Sequence, residues 1–143
     1  MRPITKVVFV ALLLSMTTVP ESSGKIFTQC GLLNELLRLG VHRSFVGNWI
    51  CLVRSESYLN TSAVHNKGSG HNLGLFQLND KIYCDNKKSG GQCNIRCANF
   101  INDDISDDLQ CAQKVHAEKG WQAWPGWERN CKQRPSATTM PLC

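Results

Sequence analysis

The chain has 143 residues, 16 of them basic and 11 acidic, giving a formal net charge of +5, and it carries eight cysteines. That length supplies one compact domain and falls short of two well-filled cores. The positive balance is mild and not interleaved with aromatics, so a nucleic-acid partner is not expected; it fits approach to an anionic cell wall or membrane and fits plain solubility equally well.

The N-terminus reads as an export signal. Arg2 and Lys6 supply charge, residues 7–16 are almost wholly apolar, and Ser22, Ser23 and Gly24 offer a small-residue cleavage site. Residues 1–24 are therefore read as a signal peptide and residues 25–143 as the working domain, which is expected to be secreted and extracellular. The apolar run is too short to span a bilayer comfortably, and nothing later approaches the roughly 20 apolar residues that a span needs, so no stable membrane insertion is expected. Cys30, Cys51, Cys84, Cys93, Cys97, Cys111, Cys131 and Cys143 all follow residue 24. An even set in an oxidising compartment predicts four disulfides, although spacing alone leaves the connectivity open. Zinc is disfavoured, because there is no Cys-x2-Cys pair and His42, His65, His71 and His116 form no helical ligand pair. These histidines read as surface residues.

A first helix is predicted over residues 31–39, where Leu32, Leu33, Leu36, Leu37 and Leu39 precede the stop at Gly40. The second, over residues 46–57, places Trp49, Leu52, Val53 and Glu56 on one face. Residues 61–83 then turn rich in Gly, Ser and Asn, with β-prone pieces at 63–66 and 73–78 and a turn at 67–70, which predicts a small sheet. A third helix is predicted from about 106 to 119 on Leu109, Ala112 and Val115, and the tail 135–141 reads as irregular, pinned by Cys143. Helices flanking one small sheet predict an α+β domain with two lobes and a ligand cleft between them.

Glu56 lies on the apolar face of its helix and in the last turn. Apolar neighbours and the negative end of the helix dipole both disfavour the ionised form, which is the state a proton donor must avoid. The same position also fits a helix-end Glu that simply reaches solvent.

Several motifs together narrow the choice. Lys25-Ile26-Phe27 ahead of Cys30, Gly47-Asn48-Trp49-Ile50-Cys51, Glu56-Ser57, Gly74-Leu75-Phe76-Gln77-Leu78-Asn79, Cys111-Ala112-Gln113-Lys114 and Ala123-Trp124-Pro125-Gly126-Trp127 resemble the chicken-type lysozymes and α-lactalbumin, invertebrate members in particular, over essentially the whole of residues 25–143. The resemblance implies the lysozyme fold, a mainly helical lobe plus a small antiparallel β lobe. It also implies the disulfides Cys30–Cys143, Cys51–Cys131, Cys84–Cys97 and Cys93–Cys111. The implied activity is cleavage of the β-1,4 bond of bacterial peptidoglycan with retained configuration, an antibacterial glycosidase chemistry that requires no cofactor, with Glu56 in the place of the general acid.

The second catalytic carboxylate of that family falls on Asn72. An amide is uncharged and a poor nucleophile, so it cannot form a glycosyl ester or offset a developing oxocarbenium ion. Neither Asp nor Glu occurs between Ser57 and Asn79, and His71, though adjacent, should point to the opposite face of its strand. Gln77, Asn79, Ala123 and Trp124 match positions that line the saccharide cleft. Ile82-Tyr83 stands where relatives often carry tryptophans, and Tyr83 can still stack on a sugar. Trp49 and Trp127 are expected to pack in the core.

Residues 99–108 resemble the calcium elbow of α-lactalbumin and the calcium-binding lysozymes. The resemblance implies ligation by the carbonyls of Asn99 and Asp104 and the side chains of Asn102, Asp107 and Asp108, with Asn102 standing where α-lactalbumin has Asp. Acids at a helix N-terminus are favourable without a metal as well. Asn60-Thr61-Ser62 is a glycosylation sequon. Two readings follow: a secreted hydrolase weakened by Asn72, acting as a monomer on peptidoglycan or a related N-acetylhexosamine glycan, or a non-catalytic saccharide-binding or calcium-binding relative.

Overall fold

The computed structural model describes residues 24–143, so the proposed signal peptide lies outside the described residues apart from Gly24. The helical lobe begins with α1 (Gln29–Arg38), whose first turn is closed by the Thr28 hydroxyl accepting the Gly31 amide at 2.9 Å. α2 (Arg43–Ser57) follows after a short turn and is buried along Val46, Trp49, Ile50, Leu52 and Val53. It starts three residues earlier than the apolar pattern indicates, because the His42 ring caps the Ser44 amide. It ends where Tyr58 and Leu59 both take left-handed backbone angles, φ 53° and 66°. That sharp exit turns the chain back so that Phe27 donates its amide to the Leu59 carbonyl at 2.9 Å.

The β lobe is a three-stranded antiparallel sheet of β1 (Val64–Asn66), β2 (His71–Leu73) and β3 (Leu78–Asn79), in that spatial order. The expected strand over 73–78 is corrected to a turn between two strands. Gly74 and Gln77 have φ of 71° and 51°, and the Gln77 amide reaches the Gly74 carbonyl at 3.2 Å. Its apolar residues are there to fill the core: Leu75 and Phe76 are fully buried at the lobe junction. A short 3-10 helix, Cys97–Ile101, leads to α3 (Ser106–Lys119), which ends at Gly120 with φ 71°. Then come a second 3-10 turn at Trp121–Ala123 and α4 (Pro125–Asn130), with Pro125 at the start. The tail is not wholly irregular, since α5 (Pro135–Thr138) forms one turn against α2. Gly47 permits that approach, because a Cβ there would fall 1.6 Å from the Thr138 carbonyl oxygen.

The four disulfides join Cys30 to Cys143, Cys51 to Cys131, Cys84 to Cys97 and Cys93 to Cys111. Cys51–Cys131 ties α2 to the end of α4, and Cys93–Cys111 ties the β lobe to α3. Trp49 lies at the centre of the core, with Phe76, Trp121 and Trp124 packed edge-on at 5.7, 4.7 and 5.9 Å between ring centroids. Trp127 is only half-buried and stacks on Trp121. His116 is not a free surface residue, because its ring lies 4.0 Å from that of Trp121 and is half-buried. Among the described residues no helix is long and apolar enough to cross a membrane.

Candidate functional site

Where the lobes meet, a cavity of about 160 Å³ is lined by Glu56, Asn72, Gln77, Asn79, Tyr83 and Trp124, with Ala123 and Pro125 closing one side. Larger hollows lie elsewhere on the surface, one of about 570 Å³ beside Cys93–Cys111, but none of them holds Glu56. The end of α2 carries Glu56 to the cavity, half-buried. Its Oε1 accepts the backbone amide of Gly126 at 2.5 Å. Gly126 is in α4, so the carboxyl is fixed by the helix that follows the Trp124 loop and not by another side chain. No hydrogen-bond partner for Oε2 occurs among the described residues.

Opposite Glu56 is the sheet. The register pairs His65 with Asn72 and Asn72 with Asn79, so these three residues form one row across the strands and share a face. The amide orientations in the row follow from a chain of donors. The backbone amide of Lys81 donates to Asn79 Oδ1 at 3.0 Å, which turns Asn79 Nδ2 toward Asn72 Oδ1, also at 3.0 Å. Asn72 is thereby left with its own NH2 as the uncommitted end. Where a carboxylate would present acceptors, this residue presents a donor.

His71 takes the other face, as the alternation along β2 dictates. Its Nδ1 pairs with Asp80 Oδ2 at 3.2 Å and its backbone amide donates to Asp80 Oδ1 at 3.0 Å, away from the Glu56 cavity. That backbone amide, opposed by burial and aided by the His71 ring, holds the Asp80 carboxyl below the usual value.

The remaining cleft residues divide by what binds their polar atoms. Gln77 is buried, and its Nε2 donates to the carbonyls of Ala63 at 3.1 Å and Gly74 at 2.9 Å, bracing the turn before β3 while Oε1 stays unpartnered. Trp124 is buried and donates its indole N–H to the Phe76 carbonyl at 2.8 Å. The Tyr83 hydroxyl accepts from Lys119 Nζ at 3.1 Å, while its neighbour Ile82 is exposed. Three partners could not be found by motif: the Gly126 amide, Lys119, and His65 in the asparagine row. The first two depend on tertiary placement. His65 depends on the register, which alternation alone leaves free until the turn is known.

The acidic elbow lies at the start of α3. Asp108 is 1% exposed, and its Oδ2 has no hydrogen-bond partner. Burial, with the Asp107 carboxylate alongside, pushes the Asp108 carboxyl up to about 9. Asp107 accepts from Asn99 Nδ2 at 3.1 Å and from the Asp108 amide at 3.0 Å. Asn102 accepts the Asp104 amide, and Asp104 accepts from Ser106, so both side chains are folded into local turns. Among the described residues no group of three or more His, Cys, Asp and Glu is arranged to hold a metal, so a cation here would also need amide and carbonyl oxygens. The orphaned Asp108 oxygen fits such a cation.

Comparison with known proteins agrees with this architecture. Residues 25–140 match the model of the C-type lysozyme/alpha-lactalbumin family. Lysozyme c-1 of Anopheles gambiae is 36% identical over 137 residues, spanning 94% of this chain and 98% of that one. A lysozyme from Litopenaeus vannamei superposes with a TM-score of 0.71 at 30% identity, covering 77% of this chain and 90% of that one. A calcium-binding lysozyme from equine milk gives 0.69 at 37%, covering 76% and 91%. The fold, the four disulfides and these matches together make the chain a member of the C-type lysozyme/alpha-lactalbumin family.

Proposed function

We propose that this protein is a secreted glycoside hydrolase of the lysozyme type, cutting β-1,4 bonds in peptidoglycan or a related N-acetylhexosamine glycan, with Glu56 as the proton donor. The observation that carries the proposal is the convergence of Glu56, Asn72, Asn79, Tyr83, Ala123 and Trp124 on one cavity between the lobes. Glu56 delivers a proton to the glycosidic oxygen as its bond to the anomeric carbon breaks. The Gly126 amide keeps that carboxyl from swinging to solvent. Tyr83 lines the cavity with its hydroxyl held by Lys119, and the Ala123 backbone and the Trp124 ring are suited to hold an N-acetyl group. Asn72 supplies no negative charge to the developing cation, so turnover is slow relative to a site with two carboxylates. Four disulfides support an extracellular setting.

The test is incubation of the full-length secreted product with purified peptidoglycan and analysis of the fragments. New reducing ends on N-acetylmuramic acid are expected, with a gain of about tenfold or more in Asn72→Asp as the missing charge returns. If neither protein releases fragments, the hydrolase reading is wrong and saccharide binding without cleavage takes its place.

A second reading rests on Asp108. Its buried, unpartnered oxygen beside Asp107 favours a structural calcium held also by the carbonyls of Asn99 and Asp104 and the side chain of Asn102. An ion bound only by the folded state must raise its stability, so chelation should lower the melting temperature. No shift on chelation contradicts calcium binding.

A further inference from the structure

Losing a carboxylate at Asn72 removes the nucleophile for a double displacement, and the row containing Asn72 supplies a different group. His65 is directly opposite Asn72 in the antiparallel register, and Asn79 is opposite Asn72 on the other side. Directly opposed side chains share a face, with their Cβ atoms about 4.5–5.5 Å apart. His65 is half-buried, and its ring makes no hydrogen bond among the described residues. The ring is therefore uncommitted on the face that carries Asn72, one strand outside the residues that line the Glu56 cavity. His71, the other histidine of the sheet, is already committed to Asp80 on the opposite face.

In glycosidases that invert configuration, the two catalytic groups stand roughly 6.5–9.5 Å apart, against about 5–5.5 Å in those that retain it, because a water must fit between base and sugar. A group one strand beyond Asn72 is set back by about one strand spacing, near 4.8 Å, which leaves room for that water. The oriented NH2 of Asn72 can donate to the water oxygen while leaving a second lone pair for attack.

On the reading that Glu56 is a proton donor in a working hydrolase, we infer that His65 is the general base of a single-displacement reaction in which Asn72 holds the attacking water. The water oxygen bonds to the anomeric carbon as the bond from that carbon to the leaving oxygen breaks. Glu56 gives its proton to the leaving oxygen, and a ring nitrogen of His65 takes one proton from the water. The product sugar carries inverted configuration. Proton exchange with solvent then restores the neutral imidazole and the protonated Glu56.

The experiment uses the full-length secreted product with the β-1,4-linked hexamer of N-acetylglucosamine, following the first-formed anomer by proton NMR. The α anomer is expected from the wild type. His65→Ala should lose about 10²–10⁴ in kcat, the usual contribution of a general base, with KM for the hexamer little changed. Added azide should restore turnover in His65→Ala and yield the α-glycosyl azide, since azide needs no base. A melting temperature and hexamer affinity close to wild type would show that the variant is folded, and His65→Gln serves as a second variant of similar size. A first-formed β anomer, or wild-type rates in both His65 variants, overturns the assignment of His65 while leaving Glu56 as the acid. Complete absence of cleavage by the wild type overturns both.

Discussion

Glu56 is held by one backbone amide, and that makes its position sensitive to a residue with no side chain. Gly126 is buried, and a Cβ added there would fall 2.5 Å from Glu56 Oε1 and 2.9 Å from its Cδ. The carboxyl would have to move. Gly126→Ala is expected to cost about 10²-fold in hydrolysis, the scale of loss that follows a displacement of about 1 Å at a reacting group. The variant should remain folded, with overpacking costing about 1–3 kcal/mol. Rates measured beside a thermal melt check this, and an unchanged rate would show that the Gly126 contact does not position the acid. Asn72 behaves in the opposite way: its role is limited by chemistry and not by placement, since the Lys81–Asn79–Asn72 chain of donors fixes its amide firmly.

At the scale of elements, the sheet is short and depends on side-chain ties. Asp80, just beyond β3, is buried and accepts both the backbone amide and the ring of His71 in β2. Its carboxyl is held below the ordinary value of 3.8, chiefly by that backbone amide. The stabilisation is therefore fully present above the unfolded value and is lost as pH falls through the lower folded value. Asp80→Asn should lower stability by about 1–3 kcal/mol at neutral pH, as loss of a hydrogen-bonded charge does, and the gap from wild type should narrow below pH 4. Denaturant melts of both proteins across that range test this; a gap that stays constant would contradict it. The sheet is also less legible in the sequence than the helices are. Helical periodicity located α1, α2 and α3 because their apolar faces recur over several turns, as Leu32, Leu33 and Leu36 do in α1. The 73–78 run misled because its apolar residues, Leu75 and Phe76, fill the core from a turn instead of alternating along a strand. Glu56, Asn72, Asn79, Tyr83, Ala123 and Trp124 could be named from local motifs, and they share one cavity. The row through His65 could not, because it exists only once the register is set.

For the whole molecule, the disulfides hold two lobes whose meeting line is the site. Cys30–Cys143 closes the longest loop, with a sequence separation of 113, and anchors the chain end over α1. Replacing both with alanine is expected to cost about 2–5 kcal/mol, chiefly through the freer unfolded chain, with little effect on the cavity geometry, which Cys51–Cys131 and Cys93–Cys111 maintain. A calorimetric melt together with a hydrolysis rate separates these effects; loss of activity larger than loss of stability explains would contradict the division. The proposed activity depends first on Glu56 as a proton donor at the junction of the lobes. Its most direct test is the clearing of a bacterial cell-wall suspension by the wild type and by Glu56→Gln, which keeps the side chain's shape and removes its proton. Slow clearing by the wild type and none by Glu56→Gln is expected. Equal clearing by the two proteins would contradict it.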